Sequence, residues 1–238
     1  AEITGMLMEQ VHDHDPMRNG EVTFGCNYMP WENAQNCAET VKIPGYNYGE
    51  NLYEEHHAAH PDWVIYGSET SSMLSSRGVY HFPADRYILS EVDLQCSSLG
   101  NSAASWGAHD LSKCIVDDLN NEFSMGQFIW SGIDYIGEPT PYHTRSCYFG
   151  QADTAGFPKD SYYLFQSLWT DRKMIHIGVN WDWNEGQIID VRVMSNCREV
   201  ELRLNGESLG RKALNRRDPG KCLAVWKVPF RAGELLAL

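Results

Sequence analysis

Glu69 closes the run Trp63-Val-Ile-Tyr-Gly-Ser-Glu, whose apolar residues read as a buried strand. A carboxylate at the mouth of such a strand is costly to desolvate unless it is partnered or used in chemistry. A structural carboxylate bonded to backbone is the rival reading. Trp130 ends Phe128-Ile-Trp-Ser-Gly, and Asp134, Glu138 and a Pro-Thr-Pro-Tyr segment follow as a polar, rigid loop. An isolated tryptophan in a strand is commonly core. A flat indole beside carboxylates and tyrosines, however, suits a sugar, whose C–H face stacks on an aromatic ring while its hydroxyls seek acidic and amide acceptors. Asn47, Tyr48 and Glu50 extend that chemistry from another strand end.

Other constellations are weaker. His56 and His60 stand at helical i, i+4 spacing, but the glutamates precede both, so the zinc-protease order His-Glu-x-x-His is absent and a solvated helix face is the better reading. His12-Asp-His-Asp15 reads as a helix end. Gly67-Ser-Glu-Thr-Ser71 lacks the second glycine of a serine-hydrolase elbow, and Gly-rich phosphate loops are absent. No metal and no cofactor is expected.

The elements that position these residues show two textures. Up to about Asp171, strand-like runs alternate with helical stretches. Glu2–His14 reads as a helix stopped by Asp15-Pro16. Strands are expected at 22–27, 41–48, 63–69 and 126–133, with helices at 53–60 and 112–123. That alternation describes a parallel sheet with crossover helices. The polar and aromatic residues crowd at the C-terminal ends of the strands, where a β/α barrel keeps its active site. Beyond Met174 apolar and polar residues alternate at 174–179, 188–193, 200–204 and 223–228, and Asn205-Gly206 is a hairpin signal. This part reads as an antiparallel sandwich whose final strand, from Glu234, has only begun. Four barrel strands where a full barrel needs eight suggest half a barrel and most of a sandwich, cut at both ends.

The 238 residues carry 19 Lys+Arg against 32 Asp+Glu, a net charge of −13, and 42% are hydrophobic. There is ample material for a core, which excludes disordered and low-complexity classes. The acidic balance argues against nucleic acid or anionic lipid as a partner, and no apolar run is long enough to cross a membrane. The one basic cluster, Arg211 to Lys221, reads as a solvated loop. Seven scattered cysteines without a Cys-x-x-Cys pair read as buried free thiols in a reducing, cytoplasmic compartment. No leader opens the chain, but Ala1 falls inside a helical stretch, so export stays open.

On these residues the chain resembles a known family. Val64-Ile-Tyr-Gly-Ser-Glu-Thr-Ser71 is similar to the nucleophile strand of glycoside hydrolase family 2, the β-galactosidase and β-glucuronidase group. Residues 128–142 resemble the last barrel strand and following loop of its bacterial β-galactosidase branch, and 193–211 the immunoglobulin-like sandwich after it. The resemblance implies residues 1–172 as the C-terminal part of a (β/α)8 barrel and 173–238 as an incomplete immunoglobulin-like domain. It implies a retaining cleavage of β-galactosides, with Glu69 as nucleophile, Tyr48 or else Tyr46 as its hydrogen-bond donor, Trp130 as the floor of the sugar subsite, and Asn47, Asp134 and Glu138 around the sugar.

The family's acid/base, a glutamate after an asparagine at a strand end, has no match: Asn121-Glu122 ends a helix and Asn184-Glu185 sits in a turn. It is expected upstream of Ala1, so the isolated chain should be inactive on ordinary glycosides and, with open sheet edges, should self-associate. The rival readings are a β-glucuronidase of the same family and a non-catalytic carbohydrate-binding module.

Overall fold

The computed structural model describes residues 1–73, 75–84, 110–137 and 146–238. The first part is built from α1 (Glu2–His14), β1 (Phe24–Cys26), α2 (Glu32–Val41), β2 (Pro44–Asn47), α3 (Tyr53–Ala59), β3 (Tyr66–Thr70), α4 (Leu111–Asn120) and β4 (Gln127–Ile129). The four strands form one parallel sheet in the order β1-β2-β3-β4. Parallel pairing puts all four C-terminal ends on one edge, so the loops after them gather there whatever their separation in sequence. Met29, Ala38, Tyr46, Tyr53, Trp63 and Ile65 make the core between this sheet and its helices. Asp110 caps α4 by accepting from the Lys113 backbone N–H at 3.2 Å.

The strands are shorter than their apolar runs. Residues 41–43 are not strand: α2 runs to the buried Val41, and Lys42 ends it in the left-handed region at φ 65°. Pro44, which cannot continue a helix, then opens β2. Trp63 and Ile65 are likewise buried by packing before β3 begins at Tyr66.

A small antiparallel ribbon, β5 (Tyr135–Ile136) with β6 (Ser146–Cys147), and α5 (Asp160–Trp169) lead to the second part. There β7 (Ile175–Ile177), β8 (Ile188–Ser195) and β11 (Leu223–Pro229) form one antiparallel sheet, while β9 (Glu199–Leu204), β10 (Glu207–Ala213) and β12 (Leu235–Ala237) form another. Alternate residues of three strands share one core: Ile189, Val191 and Val193 of β8, Val200, Leu202 and Leu204 of β9, and Ala224, Trp226 and Val228 of β11. A period of two is what a pleated strand needs to bury one face. Asn205 and Gly206, both at positive φ, turn β9 into β10. The terminal segment is a paired strand, with Leu235 opposite Leu204.

The two parts meet where Ile115 and Val116 of α4 and Leu164, Phe165 and Leu168 of α5 pack with Met194 and Cys222. The basic cluster runs from the end of β10 through an exposed turn, as expected of a solvated loop, and its arginines also brace this junction. Arg216 Nη1 donates to Asp171 at 3.0 Å, Arg217 donates to the Leu119 carbonyl, and Arg211 pairs with Glu199 and Glu201. Cys114, Cys147 and Cys222 are buried, but Cys197 is exposed; Cys96 lies outside the described residues. No helix among the described residues is long and apolar enough to cross a membrane.

Candidate active site

The register of the parallel sheet builds the site. Between β2 and β3 the pairing slips, from Tyr46 opposite Gly67 to Asn47 opposite Glu69, so Ser68 is left over as a bulge. Its side chain folds over β2, where Gly45 makes room: a Cβ there would come within 2.5 Å of Ser68 Oγ. Ser68 Oγ then donates to Asn47 Oδ1 at 2.6 Å, which orients the Asn47 amide. Asn47 Nδ2 donates in turn to Asn27 Oδ1 at 2.9 Å and to Glu69 Oε2 at 3.2 Å.

The other oxygen of Glu69 is held as well. Tyr48 donates its hydroxyl to Glu69 Oε1, and the Tyr48 backbone N–H donates to the Glu69 carbonyl at 2.9 Å. Tyr48 adopts φ 55°, a conformation sparsely used by bulky residues and met mainly where the surroundings demand it. Burial, and then the bond to Glu69, hold the Tyr48 phenol well above its ordinary pKa, so it stays a donor. Both carboxylate oxygens therefore have fixed partners at the mouth of β3. Tyr46 is not one of them: its hydroxyl meets His56 Nδ1 at 2.9 Å inside the core.

Trp130 stands beside this cluster. Ile129 pairs with Thr70, the residue after Glu69, and the Trp130 backbone N–H donates to the Thr70 carbonyl at 2.7 Å. Its half-buried ring meets Tyr135 edge-on at 6.1 Å. The Trp130–Ser131 peptide is cis.

Two carboxylates expected at the mouth are sealed elsewhere. Asp134 Oδ1 accepts from Lys159 Nζ at 2.7 Å and from the Gly150 backbone N–H at 2.8 Å, and each side chain of the pair is only 2% exposed. Burial raises the Asp134 pKa and Lys159 opposes that rise. A carboxylate so enclosed holds the loop together, which displaces the expectation that it reaches a sugar hydroxyl. Lys159 Nζ also donates to the Ser75 and Tyr148 carbonyls, tying the segment after β3 to the one after β6. Glu50 is 4% exposed, accepts from Cys114 Sγ at 2.9 Å and has its pKa raised by burial. Glu138 lies outside the described residues.

The sequence pointed to Glu69, Asn47, Tyr48 and Trp130, and the fold brings these four together. Asn27 and Ser68 were not singled out; their signal is only that each is a small polar residue at a strand end. His56 is buried, with Nδ1 on the Tyr46 hydroxyl and its ring edge-on to Trp63, and His60 stacks on Trp63 at 3.9 Å, so the pair packs around that indole, which corrects the reading of a solvated helix face. Among the described residues no group of three or more His, Cys, Asp or Glu could hold a metal.

A doubly held carboxylate beside an indole, at the C-terminal ends of a parallel sheet, is an arrangement suited to a sugar. Comparison with known proteins agrees, and the chain belongs to glycoside hydrolase family 2. It is 39% identical over 246 residues to Beta-galactosidase BoGH2A of Bacteroides ovatus, a match that covers 98% of this chain and 28% of that protein. It is also 40% identical over 124 residues, 48% of the chain, to a putative beta-glucuronidase of Formosa agariphila, 12% of which is covered. Among solved structures, a beta-glycosidase from Bacteroides vulgatus superposes with a TM-score of 0.73 at 28% identity, covering 99% of this chain and 32% of that one. A family 2 member from Bacteroides cellulosilyticus does so with 0.71 at 26%, covering 99% and 28%. Residues 186–238 match a domain family described as of unknown function, DUF4982. The chain thus spans about a third or less of each of these relatives.

Proposed function

We propose that this chain supplies the nucleophile side of a retaining glycoside hydrolase that cleaves terminal β-galactosides. The observation that carries the reading is the Glu69 carboxylate, held at Oε1 by Tyr48 and at Oε2 by Asn47. In this reading a Glu69 oxygen attacks the anomeric carbon as the bond to the leaving-group oxygen breaks. A second carboxylic acid, about 5 Å across the scissile bond, protonates that oxygen and then takes a proton from the water that releases the sugar. Trp130 floors the sugar, and Asn47 donates to a hydroxyl as well as to Glu69. Residues 1–172 are read as the last strands of a β/α barrel and 173–238 as an immunoglobulin-like domain.

The acid comes, in this proposal, from polypeptide outside this chain. Glu122 precedes β4 and so lies at the opposite end of the sheet from Glu69, and Glu185 sits in a turn of the sandwich. Without its proton donor the isolated chain loses a factor of roughly 10²–10⁴ on ordinary glycosides. The likeness to a protein named a β-galactosidase along nearly the whole chain favours a galactoside, and the shorter match to a putative β-glucuronidase keeps a glucuronide as the second reading.

The test is covalent labelling of the whole polypeptide with a 2-fluoro β-galactosyl donor bearing a dinitrophenolate leaving group, followed by peptide mapping. A label on Glu69, absent in Glu69→Gln, is the expected result. A label on another carboxylate, or turnover unchanged in Glu69→Gln, overturns the reading. Labelling only by the matching glucuronyl donor selects the second.

A further inference from the structure

Immediately beyond Asn27 the chain makes a tight turn that displays two aromatic rings. Tyr28 and Trp31 stack on each other with centroids 4.5 Å apart and planes 24° from parallel, yet they are 50% and 62% exposed. The turn is well fastened. The Trp31 backbone N–H donates to the Tyr28 carbonyl at 2.9 Å, Met29 between them is buried, and Gln35 Nε2 donates to the Met29 carbonyl at 3.3 Å. Trp31 is also the N-cap position of α2, so helix and strand hold the platform from both sides. A rigid pair of flat rings at the strand ends offers a stacking face to a ring that lies near the site.

Position tells which ligand. Cys26 pairs with Tyr46 and Asn47 with Glu69, and Asn27 is bonded to the same Asn47 amide that holds Glu69. Tyr28 therefore follows the site's own hydrogen-bond chain, two strand spacings from Glu69, or roughly 10 Å. That is about one sugar ring beyond a ring seated at the nucleophile.

We infer that Tyr28 and Trp31 form a stacking platform for a glycosyl unit on the leaving-group side of the scissile bond. The inference rests on the proposed function: if the terminal sugar sits at Glu69, a ring held one unit away belongs to the leaving group. The platform selects glycosides whose leaving group is itself a sugar, with a C–H face that can lie against the aromatic rings.

The experiment uses the whole polypeptide and the ratio of kcat/KM for a β-galactosyl disaccharide to that for β-galactosyl fluoride, whose leaving group has no ring to stack. Trp31→Ala should lower that ratio about tenfold. Trp31→Phe should restore most of it, and Trp31→Leu, which fills the space without a flat face, should not. Equal losses on both substrates, an unchanged ratio, or restoration by leucine as good as by phenylalanine overturns the platform. If those outcomes come with Glu69 still labelled by the 2-fluoro donor, the proposed function survives. A polypeptide never labelled at Glu69 removes both.

Discussion

Tyr48 is bound to Glu69 twice, by its hydroxyl to Oε1 and by its backbone N–H to the Glu69 carbonyl at 2.9 Å. The backbone bond fixes where β3 ends relative to the turn after β2, and the hydroxyl aims the carboxylate. Tyr48→Phe keeps the first and removes the second. In the whole polypeptide it should lower kcat roughly tenfold to a hundredfold, the worth of one hydrogen bond to a charged group. Tyr46→Phe, whose hydroxyl faces His56, should lower kcat far less. Equal effects in steady-state assays would remove the aiming role.

Alkali should loosen the parallel-sheet part. Tyr46, Tyr48 and Tyr53 all have phenol pKa values raised above 10.0, chiefly by burial. The folded chain keeps those protons while the unfolded chain loses them, so stability is complete below pH 10 and declines as pH rises beyond it. Each tyrosine contributes at most about 1.4 kcal/mol per pH unit. Urea unfolding at pH 8, 9.5 and 11, followed by tryptophan fluorescence, should show a falling midpoint only in the last interval.

Glu50 sits under the site with its carboxylate on Cys114, and burial raises its pKa from 4.5. A raised carboxyl pKa means stability that is complete below the unfolded value and is lost as pH climbs through the folded one. Glu50→Gln keeps an oxygen for Cys114 and carries no charge. It should stabilise the fold at pH 7.5, with the advantage shrinking toward zero near pH 4, as read by thermal unfolding at both pH values.

Lys159→Met should destabilise strongly, by about 3–5 kcal/mol, because Asp134 is then buried without its cation. The Asp134 pKa is already raised from 3.8 by burial, so protonation relieves the loss and the penalty should be smaller at pH 4 than at pH 7. Adding Asp134→Asn to Lys159→Met should recover part of it. A double-mutant cycle by urea denaturation measures the coupling.

What could be read directly was whatever has a local period or a local stop. The sandwich strands were legible because burying one face of a pleat forces alternation, as in Ile189, Val191 and Val193. The hairpin at Asn205-Gly206 was legible because those residues tolerate positive φ, and α1 ended at Asp15-Pro16 as expected. Glu69 stood out because a charged residue closing an apolar run is expensive without a purpose, while its reading as a nucleophile came from the resemblance to family 2. Strand limits were not, since Trp63, Ile65 and Val41 are buried by packing outside any strand, and an apolar residue looks alike in either place.

Tertiary structure alone decided which polar residue has which partner. Asp134 and Glu138, like Glu50 and Tyr48, look equally suited to a sugar in one dimension. The fold closes Asp134 onto Lys159, 25 residues away, and Glu50 onto Cys114, 64 residues away. It also slips the β2–β3 register by one residue, and that slip sets Asn47 opposite Glu69. Hydrogen-bond partners are fixed by distances of about 3 Å between side chains on different strands. Sequence spacing carries no information about such distances until the sheet is assembled.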